Sequence, residues 1–450
     1  MAKKDATNYV CTACGATSVA WSGRCFNCGA WNTLEAQVSV DTKAGVAAGR
    51  KLHAQDVKTS VGRDHVRLQS RMDEVDTVLG GGLVAGSVNL IAGQPGIGKS
   101  TLLMQLAGKM SKDVPVLYVS AEESAHQVGS RAQRLGVAGN KLQIATANSA
   151  NDIAATLSDG GYRVAIVDSV QMISVDELSS APGTVSQITA STQLITAAAK
   201  ASNTAVILVG HVTKEGSIAG PKVLEHVVDV VLQLEGDRYG GFKVLRAIKN
   251  RYGSTNEAGI FEMKDTGMEP VANPSAALLE ERQASDGSIV MATLEGTRPL
   301  LVEVQALVNT TSYGYPKRAA SGLDLNRLNL LVAMLEKRTK LTLADKDIYV
   351  NIVGGIKITE PAADLAVCMA IGTAAKGLQL KQNYVVFGEV GLLGEVRHVP
   401  HVDKRLAEAK KLGFVGAIGP KTQGLSVAQS KLLHAAPDVR TALNQYLERE

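Results

Sequence analysis

The sequence predicts an α/β protein, in which a parallel-sheet core surrounds a phosphate-binding loop, a small metal-stapled module precedes it and an α+β domain follows. Three features carry this expectation. Short, nearly all-apolar runs alternate with helical stretches, and one run opens into Gly93-Gln94-Pro95-Gly96-Ile97-Gly98-Lys99-Ser100. Two CxxC pairs crowd into the first 28 residues. The composition then changes near residues 273–288, beyond which strands and helices mix differently.

A chain of 450 residues is too long for one hydrophobic core. Its 45% hydrophobic and 20% charged content is that of an ordinary globular protein. The net charge of +4 neither demands nor excludes nucleic acid, so any basic surface must be local. No apolar run is long enough to span a membrane, and MAKKDATNYV is not a signal peptide, so a cytoplasmic location is expected. Thiols stay reduced there, and four of the five cysteines lie within the first 28 residues, which suggests metal rather than disulfides.

Residues 1–35 are too few to bury a core and need a staple. Cys11 and Cys14, then Cys25 and Cys28, offer a tetrahedral thiolate set suited to a structural Zn²⁺. An iron–sulfur cluster or a redox dithiol pair is the alternative. Residues 36–63 lack periodicity and read as a linker. Within 64–275, SVNLIAG, VPVLYVSAEE, YRVAIVDSV and TAVILVGHV have the character of strands buried on both faces of a parallel sheet. VVLQLEG and FKVLRAIK alternate more and are expected to extend that sheet in antiparallel fashion. From 285 to 450, SIVMATLEG, LLVEVQALV, KDIYVNIVGG and YVVFGEVG read as strands. A helix over LDLNRLNLLVAMLEKRT should present Leu325, Leu328, Leu331 or Val332, and Leu335 as one apolar stripe. Cys368, alone in an apolar run, reads as core.

The run Gly93–Ser100 fits G-x-x-x-x-G-K-[ST], with a strand before it and a helix after it. Glycines let the backbone close around phosphate oxygens, with amides pointing inward. Lys99 would neutralise the terminal phosphates of ATP, the Ser100 hydroxyl would hold Mg²⁺, and Thr101 continues the site into the helix. Asp168, at the carboxyl end of an apolar strand, is the second candidate Mg²⁺ ligand. Glu122 and Glu123 end the strand VLYVS, and one of them should activate water; Glu122 is the choice.

The P-loop after VNLIAG and the strands ending SAEES, VDS and GHVTKEG together resemble the RecA core. That resemblance makes His211 a sensor of the terminal phosphate; capping a strand is its plainer role. Lys249-Asn250-Arg251-Tyr252-Gly253 resembles the K-N-R-F-G motif of the bacterial RadA (Sms) family, with Tyr in place of Phe. The resemblance extends over nearly the whole chain, from the four-cysteine module to a region from about 288 to 450 that resembles the Lon protease domain. It implies a RecA-like P-loop ATPase core with an N-terminal zinc ribbon and a C-terminal α+β Lon-protease-like domain. It also implies that Lys249 and Arg251 act across a subunit interface or on DNA. In the Lon-like region Ala362 stands where the nucleophilic Ser should be, and Asp403 or Lys404 falls near the partner Lys, so proteolysis should be absent.

Ser312-Tyr313-Gly314-Tyr315-Pro316-Lys317-Arg318 interleaves aromatics with cations, as single-strand binders do, and reads as a candidate DNA-contacting loop through Lys317 and Arg318. The resemblance implies an ATP-driven motor on single-stranded and branched DNA, acting in recombination and repair. A hexameric ring and a RecA recombinase partner come with it. The competing readings are a RecA-like regulatory switch that does not translocate and, against the missing Ser, an ATP-dependent protease.

Overall fold

A computed structural model of the chain describes residues 8–11, 17–18, 20–27, 29–37, 67–137, 141–211, 222–236, 242–312 and 314–448. Cys14, Cys28, Tyr313 and the linker from 38 onward lie outside them. The chain divides into two units, Met1–Asp64 and His65–Glu450.

In the first unit Asn8–Cys11 pairs antiparallel with both Thr17–Ser18 and Leu34–Gln37. Only Cys25 and Leu34 are buried there among the described residues, with Tyr9 packed against them. Trp21, Phe26 and Trp31 are exposed. A core this small among the described residues offsets little ordering entropy, and a cross-link is the usual supplement in so short a module.

The second unit holds two large sheets. Strands of the first are β1 (Val88–Gly93), β2 (Val116–Ser120), β3 (Leu142–Thr146), β4 (Val164–Asp168), β5 (Ala205–His211), β6 (Val230–Gly236), β7 (Phe242–Asn250), β8 (Ala258–Lys264) and β9 (Gly267–Pro270). Their order is β9-β8-β7-β6-β1-β5-β4-β2-β3. Strands β6 through β3 run parallel, and β7, β8 and β9 add an antiparallel meander. Strands β1, β2 and β4 are buried at every position, which explains their unbroken apolar sequences. Helices α1 (Asp73–Leu79), α2 (Lys99–Met110) and α3 (Ala125–Arg134) share one hydrophobic cluster with the sheet. On the other face lie α4 (Ala150–Ser158) and α5 (Val185–Ser202).

One expectation changes here. VVLQLEG is not part of the antiparallel extension, because β6 runs parallel to β1 and only its partner FKVLRAIK reverses. Helix α6 (Lys222–Val227) lies between β5 and β6, and a crossover of that kind returns the chain in its original direction.

The second sheet comprises β10 (Ser288–Glu295), β11 (Arg298–Thr310), β12 (Arg318–Ser321), β13 (Lys346–Ile352), β14 (Tyr384–Val386), β15 (Gly416–Gly419) and β16 (Leu433–Ala435). Its order is β12-β13-β11-β10-β14-β15-β16. The segment 273–288, where the composition shifts, carries helix α7 (Pro274–Leu279), capped by Asn273 and rooted in the C-terminal core through Leu278. Helix α8 (Leu325–Thr339) buries Leu328, Leu331, Val332, Met334 and Leu335, but Leu325 is exposed. Leu325 directly follows the Asp324 cap and so precedes the first turn that faces the sheet. Helix α9 (Asp364–Lys376), with Cys368 fully buried, shares that core, and α10 (Val402–Lys411) covers the opposite face.

The two sheets are bolted together by charge. Arg298 on β11 bonds both carboxylate oxygens of Glu74 on α1, at 2.8 and 2.9 Å. Arg246 on β7 bonds Glu295 on β10 at 2.7 Å and also pairs with Glu235 on β6.

Candidate active site

The carboxyl edge of the parallel strands gathers most of the candidate residues. Strand β1 ends at Gly93, the loop turns through Gly96 and Gly98 at φ +79° and +110°, and α2 starts at Lys99. Ile97 is buried and pins the loop to the core, while Gln94, Pro95 and Gly96 are exposed. The φ of +110° at Gly98 favours glycine, and a Cβ there would also displace the methyls of Met263 and Met268, each 2.6 Å away. No side chain caps the start of α2, and its free amides and helix dipole favour an anion. Ser100 and Thr101 stand on that first turn, partly exposed.

Lys99 is 4% exposed. Its Nζ donates to the Gly93 and Gln94 carbonyls at 2.8 and 3.1 Å and lies 3.2 Å from His211 Nδ1. Burial pushes its pKa down to about 8, with Asp168 and Glu122 pulling the other way. His211, at the end of β5, places its Nε2 3.3 Å from Glu122 Oε1. Glu122 also accepts from the Ser169 hydroxyl. Glu123 turns away and pairs with Arg131 on α3. The two adjacent acids therefore have different surroundings, and Glu122 is the one facing Lys99 and His211.

Asp168 ends β4 beside them, nearly buried, and its Oδ2 accepts from Tyr118 Oη at 2.7 Å. Burial and the neighbouring Asp168 charge raise the Tyr118 pKa, so the phenol keeps its proton and acts as a fixed donor. Sequence reasoning passed over Tyr118, Ser169, Met263 and Met268. Tyr118 did leave a signal, as the one aromatic side chain inside VLYVS. A separate cleft of about 370 Å³ opens between Thr101, the end of α3 and the β8–β9 turn around Met263 and Lys264.

Lys249–Gly253 is not brought to this edge. Asn250 pairs with Val230, which pairs with Asn89 at the start of β1, so the motif sits at the amino edge of the parallel strands. That register sets the motif away from the P-loop of its own chain, because β7 runs antiparallel and carries its carboxyl end away. Lys249 Nζ donates to the Val228 carbonyl at 2.8 Å and to that of Glu225, closing the end of α6. Burial, and then Arg251, lower its pKa. Arg251 pairs with the buried Asp229 at 3.0 Å and leaves half its side chain in solvent. The two cations thus address one feature, the turn between α6 and β6, as same-side neighbours should. Asn250 accepts from the Tyr252 amide at 2.9 Å, and Gly253 lies close against Gly80.

In the C-terminal sheet Tyr315 and Lys317 are exposed and Arg318 opens β12. The Lys317 amide donates to Asp347 at 2.7 Å. Ala362 is 2% exposed inside the turn Pro361–Ala363. Lys404 donates to the Thr297 carbonyl at 3.2 Å, while Asp403 is exposed. The residue after it, Arg405, is fully buried and pairs with Glu360 next to the turn. In the first unit Cys11 ends a strand, and Cys25 starts a tight turn in which the Gly29 amide donates to its carbonyl at 3.0 Å. Turns of this kind suit a CxxC thiolate pair, and a Zn²⁺ held by the expected set Cys11, Cys14, Cys25 and Cys28, of which Cys14 and Cys28 lie outside the described residues, would act as a structural cross-link.

Three family models match parts of the chain: an AAA domain over residues 52–217, a rubredoxin metal binding domain over 9–36, and subunit ChlI of Mg-chelatase over 329–423. DNA repair protein RadA of Pseudomonas aeruginosa is 48% identical over 92% of each chain. The RadA proteins of Halalkalibacterium halodurans and Bacillus subtilis are 45% and 44% identical, each over 93% of both chains. With a RecA-like P-loop core, an N-terminal zinc ribbon and a Lon-like C-terminal domain in one order along the chain, the protein belongs to the DNA repair protein RadA family.

Proposed function

We propose that this chain is an ATP-driven DNA motor that processes recombination intermediates. The observation that carries the reading is the contact line Lys99–His211–Glu122, with Asp168 beside it, on the edge where the P-loop opens. In this reading Lys99 leaves its carbonyl partners for the terminal phosphates, Ser100 and Asp168 hold Mg²⁺, and Tyr118 fixes the Asp168 carboxylate. Mg²⁺, when bound there, would supply neutralisation of phosphate charge. Glu122 orients water or takes its proton, and His211 links the phosphate end to the strand that leaves the site. The nucleotide's base occupies the cleft beside Thr101 and Met263.

Lys249 and Arg251, remote from their own P-loop, serve a neighbouring copy or DNA phosphates in a ring, which the family resemblance makes hexameric. Lys317 and Arg318, with the exposed Tyr315, add a basic and aromatic contact for single strands. A RecA recombinase is the expected partner, and proteolysis has no place where Ala362 fills the turn. A DNA-independent switch is the competing reading.

The test is ATP hydrolysis with and without single-stranded DNA, alongside migration of a branched substrate. Stimulation and migration, both lost in Lys99→Ala with an unchanged melting curve, support the motor. Hydrolysis indifferent to DNA favours the switch, and turnover retained in Lys99→Ala overturns the site.

A further inference from the structure

Shortly after Asp168 the chain buries an amide that nothing pairs. Gln171 lies in the 3₁₀ turn Val170–Met172. The residue is partly exposed, yet both ends of its carboxamide, Oε1 and Nε2, are buried without a hydrogen bond. The other unpaired buried groups are less demanding. Ser191, Thr192 and Thr196 stand inside α5, where a hydroxyl can be met by a carbonyl of the preceding turn. Arg282, bare at Nε, still donates through Nη1 to Asn383. Among the described residues Gln171 alone keeps a whole buried carboxamide unpaired. Burying an amide in this way is costly, which sets Gln171 apart.

The turn that carries it is fixed. Val170 and Ile173 are fully buried, the Met172 amide donates to the Ser169 carbonyl at 3.2 Å, and the Ser174 amide donates to the Asn148 carbonyl at 2.8 Å. Gln171 is thereby held against β5. A Cβ on Gly210 would lie 3.9 Å from Gln171 Nε2 and 3.2 Å from Leu90 Cδ1, so glycine leaves room for the carboxamide beside the strand. Strand β5 is also half-bare at that level. Its register with β1 continues to His211 opposite Gly93, but its register with β4 stops at Leu208 opposite Val167. Past Leu208 the side of β5 toward β4 has no strand paired to it, and a carboxamide can both donate to and accept from such backbone.

Gly210 is followed by His211, whose ring lies 3.2 Å from Lys99 Nζ and 3.3 Å from Glu122. Successive side chains on a strand face opposite ways, so Gln171 meets β5 from the face opposite the His211 ring and reaches it only through the backbone. When Lys99 turns to a phosphate, His211 loses one of its two side-chain contacts and needs another hold. We propose that Gln171 is a positioning residue for ATP hydrolysis: as a triphosphate draws Lys99 away, the carboxamide bonds the β5 backbone beside Gly210 and holds His211 toward the terminal phosphate. Its unpaired amide is the mark of a group whose partner arrives with that shift. The inference rests on the ATPase reading of the site and adds the residue that steadies His211 within it.

Full-length wild type, Gln171→Met, Gln171→Leu, His211→Ala, the double variant Gln171→Met/His211→Ala and Lys99→Ala are compared. Melting is followed without nucleotide, and ATP hydrolysis with Mg²⁺ is measured in single turnover, so that slow variants remain readable. Methionine keeps the length of glutamine and strands no partner, so Gln171→Met should melt no lower than wild type. Its rate at saturating ATP should fall about tenfold, while half-saturation moves less than about twofold. With His211→Ala already present, the same substitution should cost less than about twofold more, since the two residues act in series. Gln171→Leu should behave alike, and it replaces a methionine variant that fails to fold. A wild-type rate in either folded variant overturns the proposal. So does a lower melting temperature in both, or failure of both to fold, which would make the carboxamide a structural group. Losses that multiply in the double variant overturn it in favour of a separate point of action. If wild type and Lys99→Ala hydrolyse ATP alike, or neither does, the ATPase reading fails first and this inference with it.

Discussion

Lys99 is buried without a carboxylate in hydrogen-bond contact, and that burial has a pH signature. Its pKa is about 8 in the folded chain against an ordinary 10.5. Between those values the unfolded chain holds the extra proton, so raising the pH stabilises the folded state. Wild type should therefore gain melting temperature relative to Lys99→Met as pH rises through that window, without nucleotide. A difference that stays flat or shrinks would show that Lys99 is not desolvated. The adjacent acids give a second contrast. Glu122→Gln should lower turnover by about a hundredfold or more while ATP still binds. Glu123→Gln, which removes only a partly exposed pair with Arg131, should change it by less than about twofold. Equal losses would mean that the two carboxylates are interchangeable. Spacing placed both acids at one strand end but could not separate them, since the difference arises from α3 presenting Arg131 to one and β5 presenting His211 to the other. Tyr118 was hidden for a related reason: its partner Asp168 is 50 residues away in the sequence.

At the scale of elements, strands buried on both faces announce themselves in the sequence, while β3, partly exposed along its length, does not. The direction of β6 was likewise illegible, because it depends on α6, a six-residue helix too short for a periodic signal. The Lys249–Gly253 motif was recognisable as a string, yet its location depended on which way β7 runs. Locally the motif also holds the fold. Asp229 is 2% exposed, accepts from the Val88 amide at 3.0 Å and pairs with Arg251. Asp229→Ala should cost about 2–3 kcal/mol, chiefly by stranding the Val88 amide at the root of the P-loop strand. Urea unfolding measures it, and a loss below about 0.5 kcal/mol would show that the bridge is incidental.

Across the whole molecule, the ATPase sheet and the C-terminal sheet share ionic bolts rather than a flexible tether. The composition shift at 273–288 could not reveal that α7 packs there instead of linking, because a capped six-residue helix resembles a loop in sequence. Arg246→Ala leaves Glu295 buried and uncompensated, a change of a kind that costs about 3–5 kcal/mol. Calorimetry should then resolve two transitions where wild type has one. A single, unshifted transition would show that apolar contact alone couples the halves.

The opposed positions of the P-loop and the Lys249–Gly253 motif have one more consequence. If each competent centre combines the front of one subunit with the back of the next, damage to the two ends should be mutually curable. Protomers with Lys99→Ala keep an intact back, and protomers with Arg251→Ala keep an intact front. Blended, they should regain turnover that neither pure population has, because some neighbours meet sound face to sound face. Placing both substitutions in one chain and diluting it with wild type should bring no such rescue. A blend as inert as its components would confine each centre to a single chain.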